Sequence, residues 1–131
     1  MPKTILLIDD DADTRIYMGT ILRRGGYQVL TAADGQEGWQ KIQKNRPDLV
    51  LLDIMMPRRS GMNLLAELKG HPEFRHIPVF VITGVGQMTG VDLQKYMVGQ
   101  PGGESVRPEA FLEKPIKPDK LLKTVKEFLP D

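Results

Sequence analysis

The sequence predicts an α/β domain built on a parallel β-sheet, and three buried strands with helical patterns between them indicate this fold class. Each strand is an uninterrupted run of four apolar residues that a polar residue ends. Continuous apolar runs are typical of strands that helices cover on both faces, whereas half-exposed strands alternate. The three runs are Ile5–Ile8, Leu49–Leu52 and Val79–Ile82.

Two weaker patterns complete the predicted sheet. Residues Tyr27–Thr31 follow two glycines and alternate as an edge strand does, and Ala110–Glu113 is a short run near the C-terminus. Strands and helices therefore alternate along the chain. With right-handed crossovers this order predicts a doubly wound sheet whose functional groups lie at the carboxyl ends of the strands.

Helix-type apolar spacing fills the segments between the strands. The second helix begins with the capping-box spacing of Asp34 and Glu37 and ends before Pro47, and Pro118 suits the first turn of the last helix. The predicted helices are Ala12–Arg24, Asp34–Arg46, a helix after Ser60-Gly61 that ends near Gly70, a short helix at residues 91–98, and a C-terminal helix from Pro118. A loop of about residues 99–108 precedes the fifth strand.

Length and composition exclude several classes of protein. The 131 residues predict a single domain over residues 1–131 without an effector domain, either a stand-alone protein or one piece of a larger one. Because the chain has no Cys, it has no thiolate nucleophile and no Cys-ligated metal. A net charge of +1 argues against nucleic-acid or membrane binding. Without a signal peptide or membrane segment, we expect a cytoplasmic protein.

Polar residues end the predicted strands, and the carboxyl ends of parallel strands meet at one edge of the sheet. Two carboxylates at ~4 Å repel by about 4 kcal/mol at an effective dielectric near 20, so a cluster of them needs protons or a cation. An all-oxygen cluster without Cys or a nearby His favours Mg²⁺ or Mn²⁺. The residues at these ends are Asp9, Asp10, Asp53, Thr83 and Lys114.

These side chains suit phosphoryl transfer to a carboxylate, which needs positioning and charge neutralisation more than an acid or a base. Asp53 is the expected nucleophile, whereas Asp9 and Asp10 are better placed as a metal-binding pair. Thr83 is expected to donate a hydrogen bond to a phosphate oxygen, and Lys114 to supply a positive charge.

The motifs that carry these residues closely resemble those of bacterial response-regulator receiver domains. The resemblance covers nearly the whole chain, and each motif stands at the end of a predicted strand or in the loop after it. The matching segments are Ile5–Asp10, Pro47–Asp53 with Met56-Pro57 and Gly61, Val81–Gly84, and Phe111–Pro115.

The resemblance implies a flavodoxin-like (βα)5 fold with strand order 2-1-3-4-5. It implies that Asp53 accepts a phosphoryl group from a sensor histidine kinase or a histidine phosphotransfer protein. The metal would be held by Asp10, Asp53 and the Met55 carbonyl, with Asp9 acting through water. Such a domain is not an enzyme acting on other molecules, since it catalyses only its own phosphorylation and dephosphorylation. We expect a monomer or weak dimer.

The resemblance also implies a switch. The Thr83 hydroxyl would move towards the phosphate and Phe111 would turn inward, so that the face of the fourth predicted helix (residues 91–98) and the fifth strand binds or releases a protein target. The bond before Pro115 is expected to be cis, as is common in the family. The stretch between Thr83 and Lys114 is longer than the family usually allows, and we expect the extension to select the partner.

Two alternatives remain open. Haloacid-dehalogenase-type phosphatases place a nucleophilic Asp after their first strand and a second Asp two residues later, a spacing that Asp9 and Asp11 share. However, Asp13 replaces the expected small β-branched residue, and no acidic pair follows Lys114. The other alternative is a receiver-like binding scaffold that is never phosphorylated, against which the intact acidic residues argue.

Overall fold

A five-stranded parallel sheet forms the centre of the molecule in a computed structural model that describes residues 2–53, 61–84 and 108–130. The strand order is β2-β1-β3-β4-β5, and every adjacent pair is parallel. The fold class and the strand order expected from the sequence are thereby confirmed. The strands are β1 Thr4–Ile8, β2 Gln28–Ala32, β3 Leu49–Asp53, β4 Val79–Thr83 and β5 Ala110–Glu113.

Helices connect the strands and cover both faces of the sheet. The helix predicted at residues 91–98 lies outside the described residues, as does the loop predicted at 99–108 except for Pro108, so the label α4 here denotes the C-terminal helix. The helices are α1 Ala12–Arg24, α2 Gly35–Asn45, α3 Gly61–Gly70 and α4 Pro118–Phe128. No helix in these described ranges is long and apolar enough to span a membrane.

The ends of α2 form as the sequence predicts. The Glu37 N–H donates to Oδ1 of Asp34 at 2.8 Å, and Oε1 of Glu37 accepts from the Ala33 N–H at 2.9 Å. The first bond satisfies an N–H group that the helix itself leaves without a partner, and the second binds the N–H of the residue that precedes the cap. At the other end, Arg46 adopts the left-handed conformation with φ 49° and its N–H donates to the Ile42 carbonyl.

Two apolar layers sandwich the sheet, and this explains why the predicted strands lack alternation. Along β1, Leu6 and Ile8 belong to the layer under α2 and α3, whereas Ile5 and Leu7 belong to the layer under α1 and α4. All four side chains are fully buried. Burying each such side chain contributes about 1.5–3 kcal/mol, so the two layers fix the ends of the strands firmly.

Candidate functional site

The carboxyl ends of β1, β3 and β4 bring three buried polar residues to one edge of the sheet. Asp9 directly follows β1 and has no exposed surface, while Asp53 ends β3 with 5% exposed. Asp53 pairs with Ile82 of β4, so Thr83, the last residue of that strand and also buried, is the next residue on the neighbouring strand. The convergence predicted from the sequence is therefore present.

Three carboxylates form a compact acidic cluster at this edge. One carboxylate oxygen from each of Asp9, Asp10 and Asp53 lies within 4.8 Å of the others. Asp10 is exposed, whereas the other two are buried. At such a separation each charged pair repels by about 3 kcal/mol at an effective dielectric near 20, so the cluster attracts cations strongly.

Lys114 supplies one positive charge to the cluster. Its Nζ lies 3.1 Å from Oδ2 of Asp9 and 3.6 Å from Oδ2 of Asp53. Partial burial alone lowers the pKa of Lys114, but the charges of Asp53 and Asp9 outweigh it and raise that pKa above the ordinary value of 10.5. The Lys114 backbone N–H donates to the Thr83 carbonyl at 2.8 Å, and the Lys114–Pro115 bond is cis as expected.

Backbone contacts hold Asp9 in place. Its Oδ1 accepts from the Asp11 N–H at 2.9 Å, its carbonyl accepts from Nη1 of Arg15 at 2.6 Å, and its N–H donates to the Ala32 carbonyl at 3.0 Å. Arg15 was not among the site residues predicted from the sequence. No sequence motif indicates this residue, because its contact with Asp9 forms only when the start of α1 packs against the end of β1.

The cluster fits a divalent metal ion of the hard, oxygen-binding kind. Among the described residues, three carboxylates meet one ammonium, and they still outnumber the cationic side chains when Arg15, which binds the Asp9 carbonyl, is counted. Lys114 lies close enough to Oδ2 of Asp9 for an ion pair, but the angles do not suit a hydrogen bond. This buried oxygen therefore has no hydrogen-bond partner among the described residues. An incoming cation would compensate such an oxygen. Met55, the other predicted ligand, lies outside the described residues.

Phe111, the predicted switch residue, lies on β5 opposite Val81 of β4. Its side chain is half-buried and packs against the apolar layer under α2 and α3. Only part of the ring is therefore enclosed by the close-packed core.

A cleft of about 310 Å³ opens beside Lys114, between the start of α1 and the segment that joins β5 to α4. Its lining includes Thr14, Tyr17, Met18 and Ile116. The Tyr17 hydroxyl donates to the Ile116 carbonyl at 2.9 Å, while 48% of Tyr17 stays exposed. An apolar surface therefore adjoins the acidic cluster.

Comparison with known proteins gives consistent matches. The family model described as "Response regulator receiver domain" matches residues 5–126. The polar-differentiation response regulator DivK of Brucella anthropi is 30% identical over 131 residues, which cover 100% of this chain and 99% of DivK. Response regulator Rre1 of Synechocystis is 36% identical over 129 residues, which cover 98% of this chain and 52% of Rre1. The chemotaxis protein CheY4 of Vibrio cholerae superposes with a TM-score of 0.83 at 27% identity, covering 98% of this chain and 99% of CheY4.

Proposed function

Because the chain belongs to the response-regulator receiver-domain family, we propose that Asp53 accepts a phosphoryl group in a reaction that depends on Mg²⁺ or Mn²⁺. The family assigns the chain to two-component signalling. The position of Asp53 supports this assignment. It ends the central strand β3 beside the carboxylates of Asp9 and Asp10, and its Oδ2 lies 3.6 Å from Nζ of Lys114.

The transfer itself makes one bond and breaks one. An oxygen of Asp53 attacks the phosphorus of a phosphohistidine, the P–N bond of the donor breaks, and the imidazole nitrogen that leaves takes up a proton. The product is an acyl phosphate on Asp53. Lys114 and the Thr83 hydroxyl neutralise or hydrogen-bond the phosphoryl oxygens, whose negative charge this acidic edge would otherwise repel.

A divalent cation bound here supplies charge neutralisation for the phosphoryl oxygens. Asp10 and Asp53 are the proposed direct protein ligands, with the Met55 carbonyl, and Asp9 acts through water. Arg15 and the Asp11 N–H orient Asp9 through the contacts described above. The donor set contains only oxygen, which supports Mg²⁺ or Mn²⁺ over softer metals.

The proposed output is a change of shape around β5. Phosphorylation draws the Thr83 hydroxyl towards the phosphoryl group, and Phe111 turns into the space that Thr83 leaves. The face formed by β5 and the segment at residues 91–98 then binds or releases a protein target. The half-buried state of Phe111 supports this role, because the ring is not locked into the core.

The proposed donor is a sensor histidine kinase or a histidine phosphotransfer protein. The cleft that Tyr17, Met18 and Ile116 line supports this proposal, because a donor protein needs an apolar docking surface beside the acceptor. The expectations of a single domain, of a monomer or weak dimer, and of no contact with nucleic acid stay predictions. So does the expectation that the extension near residues 99–108 selects the partner.

A phosphatase with Asp9 as its nucleophile is not favoured. Asp9 has no exposed surface, its Oδ1 is hydrogen-bonded to a backbone N–H, and its Oδ2 faces Lys114. An attacking carboxylate oxygen needs access to the phosphorus, and the Asp9 side chain is fully enclosed, whereas that of Asp53 keeps 7% of its surface exposed.

Incubation with acetyl phosphate and Mg²⁺, followed by intact-mass measurement, tests the proposal. We expect a gain of about 80 Da, the mass of a phosphoryl group. The gain should be absent in Asp53→Asn and after chelation of the metal, and it should persist in Asp119→Asn, which changes an exposed carboxyl of α4.

Two results contradict the proposal. A label that survives in Asp53→Asn places the nucleophile elsewhere, and peptide mapping then decides whether it is Asp9. A wild-type protein that gains no mass from acetyl phosphate or from a phosphorylated histidine phosphotransfer domain is a scaffold.

A further inference from the structure

An ion pair joins the largely buried side chain of Lys69 to Glu109, whose side chain is 28% exposed, at the edge of the sheet opposite the acidic cluster. The Lys69 side chain, at the end of α3, is only 8% exposed. Its Nζ contacts Oε1 of Glu109 at 2.5 Å and donates to the carbonyls of Ile77 at 3.0 Å and Arg75 at 3.3 Å. An ammonium that is largely buried requires a charged partner, so Lys69 depends on Glu109.

Glu109 forms two hydrogen bonds with Val79, the first residue of β4. Its Oε2 accepts from the Val79 N–H at 2.6 Å, and its own backbone N–H donates to the Val79 carbonyl at 2.8 Å. The ion pair therefore ties α3 and the start of β4 to the residue just before β5. At the other end of the same two strands, the Lys114 N–H donates to the Thr83 carbonyl at 2.8 Å.

Other features specify the alignment of β5 only weakly. The strand has four residues and places apolar side chains on both faces: Phe111 packs on the layer under α2 and α3, and Ala110 and Leu112 on the other layer. Because a shift by one residue still puts apolar side chains on both faces, the apolar pattern selects the register only weakly. No tight turn joins β4 to β5, because β4 ends at Thr83 and β5 begins at Ala110. Long connections leave the register of paired strands open.

We propose that the ion pair of Lys69 and Glu109 aligns β5 on β4 and thereby positions Lys114 against Asp9 and Asp53. A slip of one residue moves Lys114 by about 3.3 Å and turns its side chain to the other face, which breaks both of its ion pairs. Lys69 and Glu109 are thus positioning residues that act through β5. The functional part of this inference rests on the proposed role of Lys114 in phosphorylation.

Two measurements on Glu109→Gln test the inference. Amide hydrogen exchange reports the alignment directly, and we expect the Lys114 N–H to exchange about tenfold faster under native conditions. The rate of phosphorylation by acetyl phosphate at saturating Mg²⁺ should fall about tenfold, because a small misplacement of a charged group weakens transfer. In a Lys114→Ala background, Glu109→Gln should cause no further loss of rate.

A second variant separates alignment from the harm done by an unpaired buried charge. Lys69→Met/Glu109→Gln removes both charges and keeps an oxygen for the Val79 N–H. We expect the double variant to recover stability but to keep fast exchange at Lys114. Glu73→Gln is the matched control. Glu73 lies between α3 and β4, and its exposed ion pair is with Arg46, which lies between α2 and β3.

The outcomes are distinguishable from a failure of the proposed function. If Lys114 exchanges at the same rate in Glu109→Gln and in Glu73→Gln, or if the double variant exchanges like wild type, the pair does not align β5. If wild type accepts no phosphoryl group, the proposed function fails, while hydrogen exchange still decides the alignment. If Glu109→Gln slows phosphorylation by the same factor in wild type and in Lys114→Ala, the ion pair does not act through Lys114.

Discussion

The ammonium of Lys114 lies 3.1 Å from Oδ2 of Asp9, a carboxylate with no exposed surface. The same ammonium reaches Asp53 at 3.6 Å. Lys114 therefore neutralises part of the charge that also attracts a divalent metal ion. A cationic side chain and a metal ion at one acidic cluster repel each other, so Lys114 has opposite effects on the metal and on the phosphoryl group.

Lys114→Ala should tighten the binding of Mg²⁺ or Mn²⁺ and slow phosphorylation. Removing the ammonium leaves more uncompensated negative charge, and we expect the metal dissociation constant to fall about threefold to tenfold. Isothermal titration calorimetry measures this directly. Lys120→Ala, which removes an exposed ammonium from α4, should change the dissociation constant little. Weaker metal binding in Lys114→Ala would contradict the proposed competition.

Asp10→Asn should stabilise the metal-free protein and abolish most of the stabilisation that Mg²⁺ provides. The substitution removes one of three clustered carboxylates. Because Asp10 is exposed, solvent and salt reduce the repulsion that this relieves to about 1 kcal/mol, less than an effective dielectric near 20 gives. Urea denaturation in EDTA and in Mg²⁺ gives both free energies of unfolding. Asp13→Asn is the control: it removes a charge that favours the first turn of α1, so it should destabilise slightly. A less stable metal-free Asp10→Asn protein would argue against repulsion in the cluster.

Gly38→Ala should destabilise the protein although alanine favours helices. A Cβ at Gly38 would lie 2.5 Å from Cδ1 and 3.1 Å from Cγ1 of Ile8, a fully buried side chain just before Asp9. Overpacking costs about 1–3 kcal/mol, which exceeds the gain of about 1 kcal/mol in helix propensity. Thermal or urea unfolding measures the difference. Gly38→Ala should cost much less in an Ile8→Val background, which lacks Cδ1, than in wild type. An equal cost in both backgrounds would mean that the strain lies elsewhere.

Glu37→Gln should reduce stability at neutral pH but not in acid. Hydrogen bonding from the Ala33 N–H, helped by Lys41, lowers the pKa of Glu37 below its ordinary value of 4.5. The stabilising effect of the carboxylate is therefore complete above the unfolded-state pKa and disappears as the pH falls through the folded-state pKa. Because the side chain is 42% exposed, solvent screening keeps the effect below about 0.5 kcal/mol.

Urea unfolding of Glu37→Gln and wild type at neutral pH and at about pH 3 measures this difference. Glu127→Gln, an exposed position on α4, serves as the control for loss of a surface carboxylate. A difference between Glu37→Gln and wild type that persists unchanged in acid would show that the amide, and not the lost charge, causes it.

Much of the fold was predictable because local patterns of apolar and polar residues determine where the strands and helices form. Four-residue apolar runs mark strands that are covered on both faces, and the residues that stop the runs must then lie at one edge of a parallel sheet. Asp9, Asp10, Asp53 and Lys114 were placed together on that basis, and they lie together. The capping box of Asp34 and Glu37 was equally visible, since both partners are three residues apart.

The sequence could not predict contacts between residues that are distant in the chain. It also could not predict contacts that form where a helix packs back over a strand. Arg15 reaches the Asp9 carbonyl, and Lys69 meets Glu109 across 40 positions of sequence. Neither contact follows a period or a spacing, because the two partners meet only when separate elements pack. The order of apolar and polar residues thus determined the sheet and its acidic edge. The packing of α1 and α3 on that sheet decided that Arg15 binds the Asp9 carbonyl and that Lys69 pairs with Glu109 beside β5.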